Sequence, residues 1–280
     1  MENFTYLSVS NINDFMEEKG GAIRKKWGQN FLIDPNIIDI IINHIDLQKI
    51  NQADIIVEIG PGLGALTHKI AYFQKETLLI EIDPILAENL RNSDYFLKGK
   101  FDLVQGDILK NFHHFSDKKV FVIGNLPYYI SSDIITGILK NCKSILGGIF
   151  MLQKEFAERI EKDISSLSIF ACAFGNWKII QNVKPNSFYP SPAASSSVLY
   201  FEPFENRMKE GKVNKLENLL RSFFWGKRKT ISHIIKKSPF LNDNMRKVLE
   251  QEFTKVTKKE LSIRPENLDF EDYYNLADLE

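Results

Sequence analysis

The chain has 280 residues, 44% of them hydrophobic, and equal numbers of Lys+Arg and Asp+Glu, 36 of each. No apolar run approaches the ~18 residues of a membrane span. Zero net charge offers no global argument for a polyanionic partner, and two cysteines without a CxxC spacing argue against a disulfide or a metal site. Cys142 and Cys172 lie in apolar segments and read as buried thiols. The first 21 residues contain acids and lack a continuous apolar core, so no signal peptide is expected and the reading is a cytoplasmic protein.

In chain order, residues 1–23 read as an N-terminal extension expected to be disordered. "DIIVEI" (54–59), "TLLIEI" (77–82), "FDLVQ" (101–105), "KVFVI" (119–123) and "GGIFML" (147–152) read as strands. "ALTHKIAYF" and "PILAENLRN" between them read as helices, and the alternation implies a parallel sheet with right-handed crossovers. "WKIIQNV" (177–183) and "SSVLYFE" (196–202) are joined by a loop alone, which predicts an antiparallel pair at one sheet edge. Beyond Pro203 the spacing of Leu216, Leu219, Leu220, Phe223 and Phe224, and of Met245, Val248, Leu249 and Phe253, is helical. Asp269 is placed to cap a last helix carrying Tyr273, Tyr274 and Leu276. The boundary is therefore drawn near 204, between an α/β domain (24–204) and a small helical one (205–280).

Charge is unevenly spread. Residues 205–260 carry 15 Lys+Arg against 7 Asp+Glu, a net of +8, and include "WGKRKTISHIIKK". A solvated helix face and a phosphate-binding surface both fit such a block.

Between the first strand and its helix stands "VEIGPGLGALT" (57–67), in which Gly60, Gly62 and Ala65 meet a G-x-G-x-x-A spacing. The next strand ends at Glu81, placed to accept from both hydroxyls of a ribose. These two features fit a dinucleotide and S-adenosylmethionine equally. Asp107 ends the third strand, placed to accept from an adenine amine, and Asn125 ends the fourth. Ligands of open α/β sheets bind at the carboxyl ends of the strands, so Gly60, Glu81, Asp107 and Asn125 share one rim.

The fourth strand runs into "GNLPYYISSD" (124–133). Proline ends the strand, and the stretch offers an amide, a rigid turn and flat aromatic faces. This suits methylation of an adenine amine, whose lone pair is delocalised into the ring. The Asn125 side-chain oxygen and a backbone carbonyl at Leu126 or Pro127 can hold its two hydrogens, and Tyr128 can stack on the base. Catalysis then rests on positioning, with the base taken out of its stack and no strong general base required. Tyr129 reads as a plain core aromatic.

With "KKWGQNFL", "EIGPGLGALT", "EID", "GD", "GNLPYY", "FMLQKEFAERI" and "FYPSP" in this order, the chain resembles the ribosomal RNA adenine dimethyltransferases from about Arg24 to its last helix. The resemblance implies a Rossmann-like class I methyltransferase fold, α/β with a mostly parallel seven-stranded sheet, plus a small all-α C-terminal domain. It implies S-adenosyl-L-methionine as cofactor and the small ribosomal subunit as partner. The reaction it implies is N6,N6-dimethylation of two adjacent adenosines in the 3′-terminal hairpin of 16S rRNA, performed by a monomer without a metal. It carries cofactor contacts to Asn30, Leu32, Gly60, Glu81, Asp107 and Asn125, with Ile82 and Ile108 packing on the adenine. It carries the target-amine site to Asn125, Leu126, Pro127 and Tyr128, with Phe188 facing Tyr128 across the base. It assigns RNA phosphates to Arg24, Lys25 and Lys26 and to Lys227, Arg228 and Lys229.

The chain departs from the family pattern in several places. Tyr129 stands where the family has Asn, and Ala193, Ala194, Ser195 and Ser196 stand where it has Lys-Val-Asp-Ser. Ile164 and Ser165 replace a Tyr-Gly pair. Competing readings are a large-subunit rRNA adenine dimethylase conferring antibiotic resistance, a non-catalytic RNA-binding assembly factor, and a nicotinamide dehydrogenase. The last would need a proton donor and a substrate anchor that "NLPYY" does not supply.

Overall fold

A computed structural model describes residues 7–19, 29–205, 208, 210–226 and 228–279, and among these described residues thirteen α-helices, nine strands and several 3-10 turns are assigned. They fall into two units: 1–157 with 177–203, and 158–176 with 204–280.

The first unit starts with helix α1 (Val9–Glu18) and the two-residue strand β1 (Phe31–Leu32). Then come α2 (Pro35–Asn43) and α3 (Leu47–Gln52), each N-capped by an aspartate, Asp34 and Asp46, whose carboxylate takes one or two otherwise orphaned amides. The strands β2 (Ile55–Ile59), β3 (Thr77–Glu81), β4 (Phe101–Gln105), β5 (Lys119–Asn125) and β6 (Ser144–Gln153) alternate with α4 (Thr67–Ile70), α5 (Pro84–Arg91), α6 (Asp94–Lys98) and α7 (Ser131–Asn141). Strands β2 and β3 are buried at every position, as continuous apolar runs covered on both faces should be. Next are α8 (Lys154–Lys162), α9 (Ser166–Cys172), β7 (Gly175–Val183), β8 (Phe188–Tyr189) and β9 (Ser196–Pro203).

The main sheet has seven strands in the order β4-β3-β2-β5-β6-β9-β7. The pairings of β2 with β3 and β5, of β3 with β4 and of β5 with β6 are parallel, while β9 runs antiparallel to β6. β1 and β8 form a separate antiparallel pair that matches Phe31 with Tyr189 and Leu32 with Phe188. The strand order reverses between β2 and β5, which opens a crevice at their carboxyl ends.

The chain departs from its reading in two places here. Residues 9–18, expected to be disordered, form α1, and its Ile12, Phe15 and Met16 are buried against Phe31, Leu63 and Leu86. The apolar spacing Ile12, Phe15, Met16 is the i, i+3, i+4 of a one-sided helix, and Tyr189 Oη donates to Asn13 Oδ1 at 2.7 Å. The helix expected over "ALTHKIAYF" is only four residues long and passes into a 3-10 turn, Ala71–Phe73.

The second unit takes α8 from Glu158 on, α9, α10 (Glu210–Trp225), α11 (Ile231–Lys237), α12 (Asp243–Thr257) and α13 (Phe270–Ala277). Its core joins Leu216, Leu220, Phe223, Leu249, Phe253 and Tyr273, all 2% exposed or less. Asp269 caps α13 in a reciprocal box with Asp272, as its position foretells. The partition differs from a single break near 204, because 158–176 joins this unit: α9 packs on α10 and α13, and Tyr274 Oη donates to the Ile169 carbonyl at 3.0 Å. Among the described residues no helix is long and apolar enough to cross a membrane.

Candidate active site

The carboxyl ends of β2, β3 and β5 close around one cavity in the first unit. After β2 the chain turns through Gly60 and Gly62, at φ +64° and +60°, the left-handed region that favours glycine. A Cβ on Gly62 would come within 3.3 Å of Phe31 Cδ1, so the loop lies close under β1.

At the tip of β3, Glu81 is 4% exposed and braces two segments. Its Oε2 accepts from the Gly62 amide at 3.0 Å and its Oε1 from the Asp83 amide at 2.9 Å. Burial pushes its carboxyl up to about 7, against the pull of those two amides. Asp83 caps α5 through the Ile85 amide and accepts from Gln29 Nε2 at 2.8 Å. The segment 29–32 that carries β1 is thereby tied to the end of β3.

Glu58, on β2, also lines the cavity and is 2% exposed. Thr67 donates its hydroxyl to Glu58 Oε2 at 2.8 Å. Burial raises this carboxyl to about 8, and the nearby Glu81 adds to the rise. Sequence reasoning missed Glu58. The signal was an acid inside an otherwise apolar strand, "IIVEI".

At the end of β5, Asn125 Nδ2 donates to the Asn30 carbonyl at 3.0 Å. A carbonyl only accepts, so this bond fixes which end of the amide is nitrogen and leaves Oδ1 as the acceptor. The Pro127 carbonyl already takes two donors, Ser131 Oγ at 2.8 Å and the Ile130 amide at 3.2 Å. Of the two backbone acceptors considered, Leu126 is therefore the one left to receive a ligand's donor. The Leu126 amide bonds to the Met151 carbonyl at 3.0 Å, which holds this peptide to β6. Tyr128, half-buried, shares a hydrogen bond of 2.5 Å with Ser196 Oγ.

The structure brings Asn30, Leu32, Gly60, Glu81, Ile82, Asn125, Leu126, Pro127 and Tyr128 together on the cavity wall. Asp107 and Ile108 stand at the end of β4 and are not part of that wall: Asp107 caps a 3-10 turn through the Leu109 amide at 2.9 Å, and Ile108 is buried. Phe188 departs from its expected place. It is 2% exposed within the core around Leu32, Ile38 and Val183, because the strand pairing with β1 turns its ring inward. Tyr129 is the reverse case: expected in the core, it is 59% exposed at the turn leading to α7. Arg228 and Lys229 are exposed on the second unit, while Arg24, Lys25, Lys26 and Lys227 lie outside the described residues.

The family model for ribosomal RNA adenine dimethylase matches residues 20–276. The chain belongs to that family. The chain is 34% identical over 263 residues to the ribosomal RNA small subunit methyltransferase A of Mycoplasma mobile, covering 89% of this chain and 95% of that protein. To the Clostridium botulinum protein of the same name it is 32% identical over 281 residues, 96% of this chain and 98% of that one. Among solved structures, a dimethyladenosine transferase from Plasmodium falciparum matches with a TM-score of 0.69 at 26% identity, over 88% of this chain and 95% of that one. The 23S rRNA methyltransferase ErmE, at 22% identity and a TM-score of 0.67, shares the fold.

The dimethylase is an S-adenosylmethionine-dependent enzyme with a Rossmann-like class I methyltransferase fold. The cavity fits that cofactor in two respects. The positive-φ glycines put backbone rather than Cβ atoms on the cavity wall, and Glu81, which takes the Gly62 and Asp83 amides, keeps acceptor capacity for a ribose hydroxyl.

Proposed function

We propose that this dimethylase methylates N6 of two adjacent adenosines in the hairpin near the 3′ end of 16S rRNA, twice at each base, acting as a monomer in the cytoplasm. The choice of the small subunit is supported by relatives of that name that align along nearly their whole length. The amine chemistry is carried by one observation: Asn125 is locked with its Oδ1 as acceptor beside the Leu126 carbonyl, on the wall that also holds Glu81.

S-adenosylmethionine supplies a methyl group on a sulfonium as the electrophile. Glu81 and the Gly60 turn would hold its ribose and backbone face. Asn125 Oδ1 and the Leu126 carbonyl each accept one hydrogen of the adenine amine, which draws the nitrogen out of conjugation and aims its lone pair. Tyr128 stacks on the extruded base, held in place by Ser196. The methylated nitrogen is cationic and loses its proton readily, so no strong base is needed. Arg228 and Lys229, with Lys227 and the 24–26 basic run, contact RNA phosphates.

The test is transfer of labelled methyl groups to unmethylated small and large subunits, followed by mapping of the modified bases. Dimethylation of two adjacent adenosines in the small subunit is expected. Transfer confined to the large subunit would assign the resistance dimethylase instead, and cofactor-independent RNA binding without transfer would assign an assembly factor.

A further inference from the structure

In the second unit, α10 ends on Trp225, which is 51% exposed, and Phe240 beyond α11 is 37% exposed. The guanidinium of Arg221 lies over the Phe240 ring, 4.6 Å from its centroid. Arg221 and Trp225 are four residues apart on α10 and so share one helix face. Gly226 lets the chain turn at once against α11, where a Cβ would meet Ile234 Cγ1 at 2.7 Å, and Lys229 donates its amide back to the Gly226 carbonyl. Arg228 and Lys229, both exposed, follow Trp225 within four residues. From Arg221 to Leu241 the chain has six Lys+Arg and no acid.

Phe240 stacks under the Arg221 guanidinium, and the part-exposed Trp225 shares a helix face with that arginine, so flat ring faces and cations fall on one acid-free stretch. Flat faces interleaved with cations, without acids, match unpaired nucleotides: bases stack on the rings and the phosphates meet the cations. We propose that Trp225, Arg221 and Phe240 form a stacking platform for unpaired bases of the RNA substrate, a contact apart from the adenine-binding cavity. The proposal rests on the reading of this protein as an rRNA enzyme. It adds a component that ignores base identity and tolerates salt, whereas the contacts of Arg228 and Lys229 are salt-sensitive.

The experiment compares wild type, Trp225→Phe and Trp225→Ala, substitutions at an exposed position, on a single-stranded rRNA fragment, the same fragment fully paired, and intact small subunits. Single-stranded RNA should quench the part of the tryptophan emission that Trp225→Ala removes. Trp225→Ala should weaken that binding roughly tenfold with an unchanged salt slope, and Trp225→Phe should restore most of it. The proposal is overturned if quenching is absent, if paired RNA quenches equally, or if Trp225→Ala binds like wild type. It is also overturned if naked RNA binds unchanged while intact subunits bind more weakly, which would make the patch a ribosomal-protein contact. Methyl transfer by wild type to subunits is scored alongside, so that failure of the platform and failure of the enzymatic reading remain distinguishable.

Discussion

The side-chain amide of Asn125 donates to the backbone carbonyl of Asn30 across 3.0 Å, joining the end of β5 to the segment that carries β1. Residues 95 positions apart thus set each other's orientation, and the segment's other tie, Gln29 to Asp83, reaches the end of β3. The segment and two strand ends form one hydrogen-bonded frame around the cavity.

Asn125→Ala removes both the acceptor and this tie. Methyl transfer should fall by at least 100-fold, the order of loss when a preorganised polar group at a reacting centre is deleted. Cofactor affinity should fall much less. Single-turnover transfer and calorimetry with S-adenosylhomocysteine separate the two, and unchanged turnover would remove Asn125 from the chemistry.

Glu81→Ala should weaken cofactor binding by about 1.5–3 kcal/mol, the range for a hydrogen bond to a charged group. It also releases the Gly62 and Asp83 amides. A wild-type dissociation constant in calorimetry would place the ribose elsewhere.

The two buried carboxyls make stability depend on pH. Glu58 is pushed up to about 8 and Glu81 to about 7, chiefly by burial, from an ordinary value of 4.5. Between those values the folded chain holds protons that the unfolded chain has released, so stability falls as pH rises from about 4.5 to 8 and levels off above. Glu58→Gln keeps an acceptor for Thr67 and should be flatter across this range and more stable than wild type at pH 8.5. Thermal unfolding without cofactor at pH 5.5 and 8.5 checks both statements.

Tyr128→Phe loses only the bond to Ser196 and should cost transfer about 1 kcal/mol. Tyr128→Ala loses the stacking face as well and should cost ~1–3 kcal/mol more. Equal activities for the two variants would argue that the base does not stack there.

Phe15→Ala should destabilise the first unit by about 3 kcal/mol, as removal of a buried ring does. It should also weaken cofactor binding, because Phe31 and Leu63 line the cavity and α1 backs both. Denaturant unfolding and calorimetry measure the two effects.

The sheet was legible because buried parallel strands spell out their own apolar runs, and the rim because Gly60, Glu81 and Asn125 each stand where such a run ends. What escaped reading depended on partners distant in sequence. The buried face of α1 has meaning only once Phe31, Leu63 and Leu86 are brought beneath it. Phe188 was assigned to the cavity from its motif, but pairing with Leu32 decided which way it faces. Tyr129 follows Tyr128 in sequence yet ends in solvent, since a turn gives neighbouring residues opposite environments. Glu58 was visible only as an anomaly, an acid in a strand that water does not reach.

The double occupancy of the Pro127 carbonyl bears on the order of events. On the proposed reading a fresh substrate presents two hydrogens to two acceptors. A singly methylated one has only one left, so either Asn125 or Leu126 faces an alkyl group during the second turnover. Weakening the amide at 125 should therefore slow the later transfer more than the earlier, and half-finished N6-methyladenosine should pile up before the finished product appears.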